Sequence, residues 1–413
     1  MISFKPSAAL ENMRNLLHMV AENQIRPVAR QCDHHDAEKP WDHINFMWES
    51  VKARGTESAA AAKKEKKEKK ADGPREGNMQ MVTIIEELAW GDAGIYLCTP
   101  NAGLAGFAIE AVGTPEQKER FLKRFTEGEP KWGAMAITEP HFGSDTSQVA
   151  TTAVRDGDEW VLNGTKIFVT SGLMAAQESP GILVVWATLD KNAGRAGIKS
   201  FVVEAGTPGM KVLGVEDKLG IRANDTAPIV FDNCRIPIEN ILGSAEVVQS
   251  SGTAGFKGAM ATFDASRPAV AASGVGVAQA ALDGLKEILE KEGIEIRYDA
   301  PDHELTAIER DVIDMEAQVQ AARLLTYRSA WMMDERRHNA LEASMAKAKA
   351  GSVTTKVTQK AVEILGPLGY SQKHLFEKWM RDAKITDLYE GTQQINLLIV
   401  ARRLLDYSSK ALS

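Results

Sequence analysis

The apolar residues of this chain change their period twice, and that double change narrows the folds open to it. In MRNLLHMVAENQIRPVARQCD and MQMVTIIEELAWGDAGIYLC they recur every three to four residues, as on one face of a helix. TPEQKERFLKRF continues the helical region, with Thr114 placed as a cap, Pro115 in the first turn and Glu116 after it. From about residue 131 the period drops to two. TTAVRDGDEWVLNGTKIFVTSG alternates, with Asp156-Gly157 and Asn163-Gly164 as hairpin signals, and GILVVWATLD, GIKSFVVEA and APIVFDNCRIP follow as short strands. After Ser250 the helical period returns in RPAVAASGVGVAQAALDGLKEILEK, TAIERDVIDMEAQVQAARLLTYRSAWMMDERR and ASMAKAKAGSVTTKVTQKAVEIL. The expected architecture is α+β and mostly α. It has an N-terminal helical domain over 1–130, a central antiparallel β domain over 131–245 and a C-terminal four-helix bundle over 246–413. No βαβ alternation and no GxGxxG is present, which argues against a Rossmann dinucleotide domain.

The chain has 413 residues, enough for two or three cores. A net charge of -7 offers no basic face for nucleic acid, and no run of eighteen apolar residues offers a membrane span. Cys32, Cys98 and Cys234 are far apart and lack metal-ligand spacing, so no metal site is expected. Sparse cysteine and an N-terminus without an apolar h-region point to a cytoplasmic protein. Residues 54–78, rich in lysine, glutamate and alanine, read as a low-complexity surface insert. Lys63 to Lys70 can be taken as a site for an acidic partner, but Glu65 and Glu68 within the run fit a solvated helix or loop better.

Candidate chemistry lies in four stretches. Ala136-Ile-Thr-Glu-Pro-His-Phe-Gly-Ser-Asp145 is a tight connection in which Thr138 and Ser144 set hydroxyls beside backbone N–H groups, a turn able to hold a phosphate or a polar ring edge. Phe168-Val-Thr-Ser-Gly172 ends a strand with an aromatic face beside a hydroxyl. FDASRP opens a helix, and its Arg267 suits an ion pair as well as a site. Near the C-terminus, Glu390 stands between Tyr389 and Gly391 just before an amphipathic helix.

In order and spacing, AMAITEPHFGSD, NGTKIFVTSG, EDKLGIRANDTAPIVFDNCRIPIENILG, FDASRPAVAASGVGVAQAALD and EKWMRDAKITDLYEGTQQINLLIVARRLL resemble the acyl-CoA dehydrogenase family, as do EELAWGDAGIYLC and GTPEQKERFLKRFTEG. The resemblance implies FAD as cofactor and an acyl-CoA thioester as substrate, oxidised across Cα–Cβ to the trans-2-enoyl-CoA. It implies that Glu390 takes the α-proton while the β-hydrogen leaves as hydride to flavin N5, with electrons passed to an electron-transfer flavoprotein. It places Met135, Ile137, Thr138, Gly143, Ser144, Phe168, Val169, Thr170, Thr392 and Gln394 along the flavin. It gives Ser144, Asp264, Arg267, Tyr389, Gly391, Tyr96, Leu97 and Pro100 to the substrate. Other flavin chemistry on the same scaffold, an oxidase or monooxygenase, and a non-catalytic subunit completing a partner's site are the alternatives.

The pattern breaks where family tetramers lend residues to a neighbour's FAD. An Arg-x-x-Phe-Gly turn is replaced by EKEGIEIRYDAPDHEL, with Glu295 at the arginine position and Arg297 two residues away. A Gln-x-x-Gly-Gly-x-Gly turn becomes Glu363-Ile-Leu-Gly-Pro-Leu-Gly369. Contacts a subunit makes for its own flavin are kept, and those it lends are damaged. Two assemblies follow: a mixed oligomer with a related subunit, or a homotetramer in which Arg297 substitutes.

Overall fold

The computed structural model describes residues 6–34, 38–65, 75–247 and 254–407. Its first region holds α1 (Ala8–Val20), α2 (Trp41–Glu65), α3 (Gly77–Gly91), α4 (Ala93–Leu97), α5 (Gly103–Val112) and α6 (Pro115–Leu122). α6 starts where Thr114 predicts it. The Thr114 hydroxyl accepts from the Gln117 N–H at 3.3 Å, and the Gln117 side chain accepts from the Thr114 N–H at 3.0 Å, a reciprocal cap. The first part of the insert continues α2 as far as Glu65, in keeping with the helix propensity of alanine, lysine and glutamate; residues 66–74 lie outside the described residues.

The sheet comprises β1 (Gly133–Ala136), β2 (Thr152–Asp156), β3 (Glu159–Thr170), β4 (Ile182–Thr188), β5 (Ile198–Glu204), β6 (Met210–Val212) and β7 (Thr226–Pro237). Its order is β1-β4-β2-β3-β7-β6, with β5 also paired to β4. Pairing is antiparallel except that β4 runs parallel to β1 and to the start of β2. Asp156-Gly157 turns the β2–β3 hairpin as its sequence requires. Asn163-Gly164 does not turn the chain. It lies inside β3 at a register shift, where Gly164 has φ +154° and a Cβ would sit 2.3 Å from the Thr151 hydroxyl. The glycine there serves close packing inside a bulged strand, a second use of a residue that otherwise signals a turn.

The C-terminal region runs α7 (Ala254–Lys291), α8 (Ala307–Asp334), α9 (Ala340–Leu365), α10 (Pro367–Tyr370), α11 (Phe376–Thr386) and α12 (Gln393–Leu404). α7, α8, α9 and α11 form the bundle, closed by small residues such as Ala278, Ala281, Ala346, Ala350 and Ala361. Pro268 interrupts the hydrogen bonding of α7. It has no N–H for the carbonyl of Asp264, and that carbonyl accepts instead from the Asn339 side-chain amide at 3.2 Å.

The three regions meet at one buried ammonium. Lys378 of α11 pairs with Asp92, which caps α4, and with Asp382 at 2.6 Å; Asp382 also accepts from the Ile221 N–H, between β6 and β7, at 2.6 Å. All three side chains are at most 2% exposed. Two carboxylates face one ammonium, so deleting the cation leaves two buried like charges, whereas deleting one acid leaves a neutral pair. Lys378→Met is therefore expected to cost about 3–5 kcal/mol in denaturant titration, and Asp92→Asn distinctly less.

Candidate active site

A cavity of about 1800 Å³ opens where α3, α5, the sheet, α7 and the α11–α12 loop converge. Pockets for one small ligand usually occupy about 300–1,000 Å³, so there is room here for two extended molecules. Most of the sequence-selected residues line it: Met135, Ile137, Thr138, Gly143, Ser144, Phe168 and Thr170 on the sheet side, Tyr96, Leu97, Asp264, Arg267, Tyr389, Glu390, Gly391 and Thr392 on the helix side. Val169, Pro100 and Gln394 do not. Val169 follows strand alternation into the β core, Pro100 is buried behind the α4–α5 connection, and Gln394 points outward from α12.

The sheet wall is held from behind by a buried ion pair. Lys166 donates to Glu139 at 2.7 Å and to the Ile137 carbonyl at 3.1 Å. Glu139 also accepts from the N–H of Ala150 and Thr151 and from the Thr151 hydroxyl. Lys166 keeps this partner at the expense of its proton affinity, burial pulling the ammonium down to about 8. The connection carrying Ile137 and Thr138 is thereby pinned to β3. Beyond Lys166 the β3–β7 register slips, Phe168 takes φ +55°, and its ring is 61% exposed on the cavity side. Thr138 and Thr170 flank it, and neither hydroxyl has a hydrogen-bond partner among the described residues. A flat exposed aromatic between two unpartnered hydroxyls suits a planar heteroaromatic ligand with polar edges.

The helix wall carries the acid. Glu390 sits in the α11–α12 loop with φ +55°, a conformation costing a non-glycine residue about 1–3 kcal/mol, followed by Gly391 at +87°. Three of the loop's carbonyls are engaged, Asp387 O accepting from the Gln393 N–H at 3.0 Å. Gly391 O accepts from Lys347 at 2.5 Å and from Asn396 Nδ2 at 2.8 Å, and Thr392 O accepts from the Asn396 N–H at 3.0 Å. The N–H groups of Glu390, Gly391 and Thr392 have no acceptor among the described residues. A loop fixed through the Gly391 and Thr392 carbonyls, with three successive donors unused, is arranged to receive an anion or a polarised carbonyl.

The Glu390 carboxylate accepts from the Ser266 hydroxyl at 2.7 Å. Its open face looks onto the cavity and protein walls the rest. That burial raises its pKa above the ordinary carboxylate range, against the opposing pulls of Ser266, Arg267 and Lys347. Arg267, buried, donates to Asp264 at 3.0 Å and to Ser344 at 3.3 Å. Tyr389 and Ser273 hydroxyls lie 3.2 Å apart on the same wall. Ser266, Ser273 and Lys347 escaped the sequence reading. Ser266 stands inside FDASRP next to Arg267, so its position was available; Lys347, in a lysine-rich amphipathic helix, looked like solvated surface. No group of acidic, histidine or cysteine side chains suited to a metal occurs among the described residues, nor does any helix long and apolar enough to cross a membrane.

Three family models match in chain order: the acyl-CoA dehydrogenase N-terminal domain over residues 7–129, the middle domain over 134–234 and the C-terminal domain over 253–405. The mitochondrial short-chain specific acyl-CoA dehydrogenase of Bos taurus is 40% identical over 78% of this chain and 74% of its own. Butyryl-CoA dehydrogenase from Megasphaera elsdenii superposes with a TM-score of 0.81 at 33% identity, covering 98% of this chain and 100% of its own. A chain in the structure of the electron transferring flavoprotein of Acidaminococcus fermentans gives a TM-score of 0.80 at 31% identity, over 98% and 100%. Helical region, sheet and bundle are thus matched end to end, and the chain belongs to the acyl-CoA dehydrogenase family of oxidoreductases.

Proposed function

We propose that this protein removes two hydrogens across Cα–Cβ of an acyl-CoA thioester, with Glu390 as the α-proton base, and that its electrons pass to an electron-transfer flavoprotein. The observation that carries the reading is the Glu390 loop: a desolvated carboxylate of raised pKa beside three unused backbone donors. Members of the family are FAD-dependent, and the cavity fits that cofactor by its volume, by exposed Phe168 and by the free hydroxyls of Thr138 and Thr170. Bound there, FAD supplies the acceptor for the hydride leaving Cβ. The residues of the chain do the rest. Glu390 receives the α-proton, and desolvation makes it a stronger base than a wet carboxylate. The backbone N–H of Glu390 stabilises the enolate oxygen as charge develops, with Gly391 leaving room for the thioester beside the chain. A side chain at Gly391 would press on Asn396 at 3.1 Å and disturb the amide that holds the loop. Asp264 and Arg267 face the entry of the pantetheine arm.

Assembly is the second part of the proposal. Arg297 is committed within its own chain: it makes a forked pair with Glu309 at 2.7 and 2.9 Å and also donates to the Glu304 carbonyl. It staples the loop after α7 onto the cap of α8, whose Glu309 it holds well below the usual carboxylate range. Glu295 remains exposed. An arginine so engaged is a poor donor to a neighbour's flavin, which favours a mixed oligomer with a related subunit over a homotetramer.

Three outcomes follow. Glu390→Gln is expected to retain FAD and to lose about 10²–10⁴-fold in anaerobic flavin bleaching by acyl-CoA, since only the base is removed; full bleaching refutes the base. Glu390 acts ionised, so kcat/KM rises with pH through its pKa, and Ser266 holds that pKa down. Ser266→Ala moves the acidic limb to higher pH and lowers kcat/KM below it by about tenfold or more, the value of a hydrogen bond to a charge. Purified alone, the chain should carry well under one FAD per subunit and gain it with its partner; a fully flavinated active homotetramer excludes the mixed assembly.

A further inference from the structure

The acyl side of the cavity is apolar except at one place. Met81, Ile85, Phe107 and Ala269 wall it, and the Tyr96 ring packs against this cluster. Tyr389 and Ser273 set their hydroxyls 3.2 Å apart next to Glu390, and Tyr96, packed on the cluster that includes Ala269, one turn before Ser273, lines the same cavity. Their donors can be counted. Ser273 lies 2.8 Å from the Val270 carbonyl, and with its hydrogen given there the Tyr389 phenol is the donor in the 3.2 Å contact. Both hydrogens are then used, while the Tyr389 oxygen keeps an acceptor site. The Tyr96 hydroxyl makes no hydrogen bond among the described residues, although protein surrounds it closely enough for burial to raise its pKa. One unused donor and one unused acceptor therefore face the same apolar space.

Resting on the dehydrogenase reading above, we infer that the acyl group carries an uncharged oxygen beyond Cβ, with Tyr96 donating to it and Tyr389 accepting from it when it is a hydroxyl. The oxygen lies beyond Cβ because Cα and Cβ are the carbons that lose hydrogen. It is uncharged because the cations that line the cavity among the described residues, Arg195, Arg267, Arg402 and Arg403, are paired or lie elsewhere in it. Glu390, next to Tyr389 in the chain, carries the negative charge on this side and disfavours a second carboxylate. Arg267 is engaged by Asp264, and Arg402 and Arg403 sit in the last turn of α12, about 15 Å along that helix from Thr392. Arg195 belongs to the turn between β4 and β5, on the sheet side. A hydroxyl satisfies both vacancies, a ketone one. An alkyl chain satisfies neither and strands the Tyr96 donor in a dry site.

The test uses thioester pairs matched in size, in which hydroxyl replaces methyl: 4-hydroxybutyryl-CoA against pentanoyl-CoA, 5-hydroxypentanoyl-CoA against hexanoyl-CoA and 6-hydroxyhexanoyl-CoA against heptanoyl-CoA. With the FAD-loaded protein, in its complex if a partner is needed, at least one hydroxy member is expected to exceed its alkyl match in kcat/KM by tenfold or more. Tyr96→Phe should bring that ratio to or below one. Calorimetric titration of the Glu390→Gln protein, which cannot turn the thioesters over, should give the same order in Kd. If alkyl members bleach the flavin and win every pair, or if Tyr96→Phe leaves the ratio unmoved, the oxygen-bearing substrate is refuted while dehydrogenation stands. Bleaching by no thioester in either class refutes both.

Discussion

Three lysines are among the largest fully buried side chains of the molecule, and each fixes one wall of the cavity. Lys378 joins α4, α11 and the sheet through two carboxylates; Lys166 clamps the connection bearing Ile137 and Thr138; Lys347 holds the carbonyl of Gly391. Lysine is almost never fully buried without a partner, because its ammonium loses several kcal/mol of hydration that the partner must offset. Such pairs contribute little net stability compared with apolar packing. What they do supply is direction: an ammonium in a dry interior has few places to go, and the groups it holds inherit its position. Walls built this way define a cavity of about 1800 Å³.

The same buried groups mark where sequence reading stops. Regions of period 3.6 and period 2 were legible because burial of one face is a local pattern, and the N-cap at Thr114 was legible because its partners are three residues apart. The motifs around Thr138, Phe168, Arg267 and Glu390 could be picked out as well, and the fold brings them to one space. Asn163-Gly164 misled because a glycine serves a turn and a bulge equally, and only Thr151, packed against it from just before β2, separates the two. Lys166, Lys347 and Lys378 were invisible for a related reason. Their partners lie on other elements, and a lysine in an alternating or amphipathic segment reads as solvated until the opposing carboxylate is known. Arg297 is the converse. By position alone it was a candidate to reach a neighbouring subunit, and a carboxylate twelve residues on, Glu309, had already claimed it.

The two sides of the cavity differ in how their polar groups are satisfied, and that difference assigns their tasks. On the sheet side the engaged groups lie behind the wall and the free ones, Thr138 and Thr170, are hydroxyls able to donate or accept. On the helix side the free groups are backbone donors beside a carboxylate. A ligand meeting the first surface is recognised by shape and by hydrogen bonds that can reverse. One meeting the second finds fixed donors and a base, which is what a carbonyl passing toward an enolate requires.

Whether Glu390 can serve as that base depends on the cations near it. Arg267 and Lys347 both pull its pKa down, and either one, directly paired, would make it a weak proton acceptor. Neither is so paired. Arg267 spends Nη1 on Asp264 and Ser344, and Lys347 points at the Gly391 carbonyl, its charge answered by Asp387 as well. Burial therefore prevails over attraction, and the pKa is raised. Asp264 thus has two effects from one position: it lines the cavity, and it occupies the guanidinium that would otherwise neutralise Glu390. The Ser266 hydroxyl, the carboxylate's only direct hydrogen-bond partner among the described residues, orients it without discharging it. That is the combination a desolvated base needs, because a fixed carboxylate with no full counter-charge keeps both its aim and its affinity for the proton.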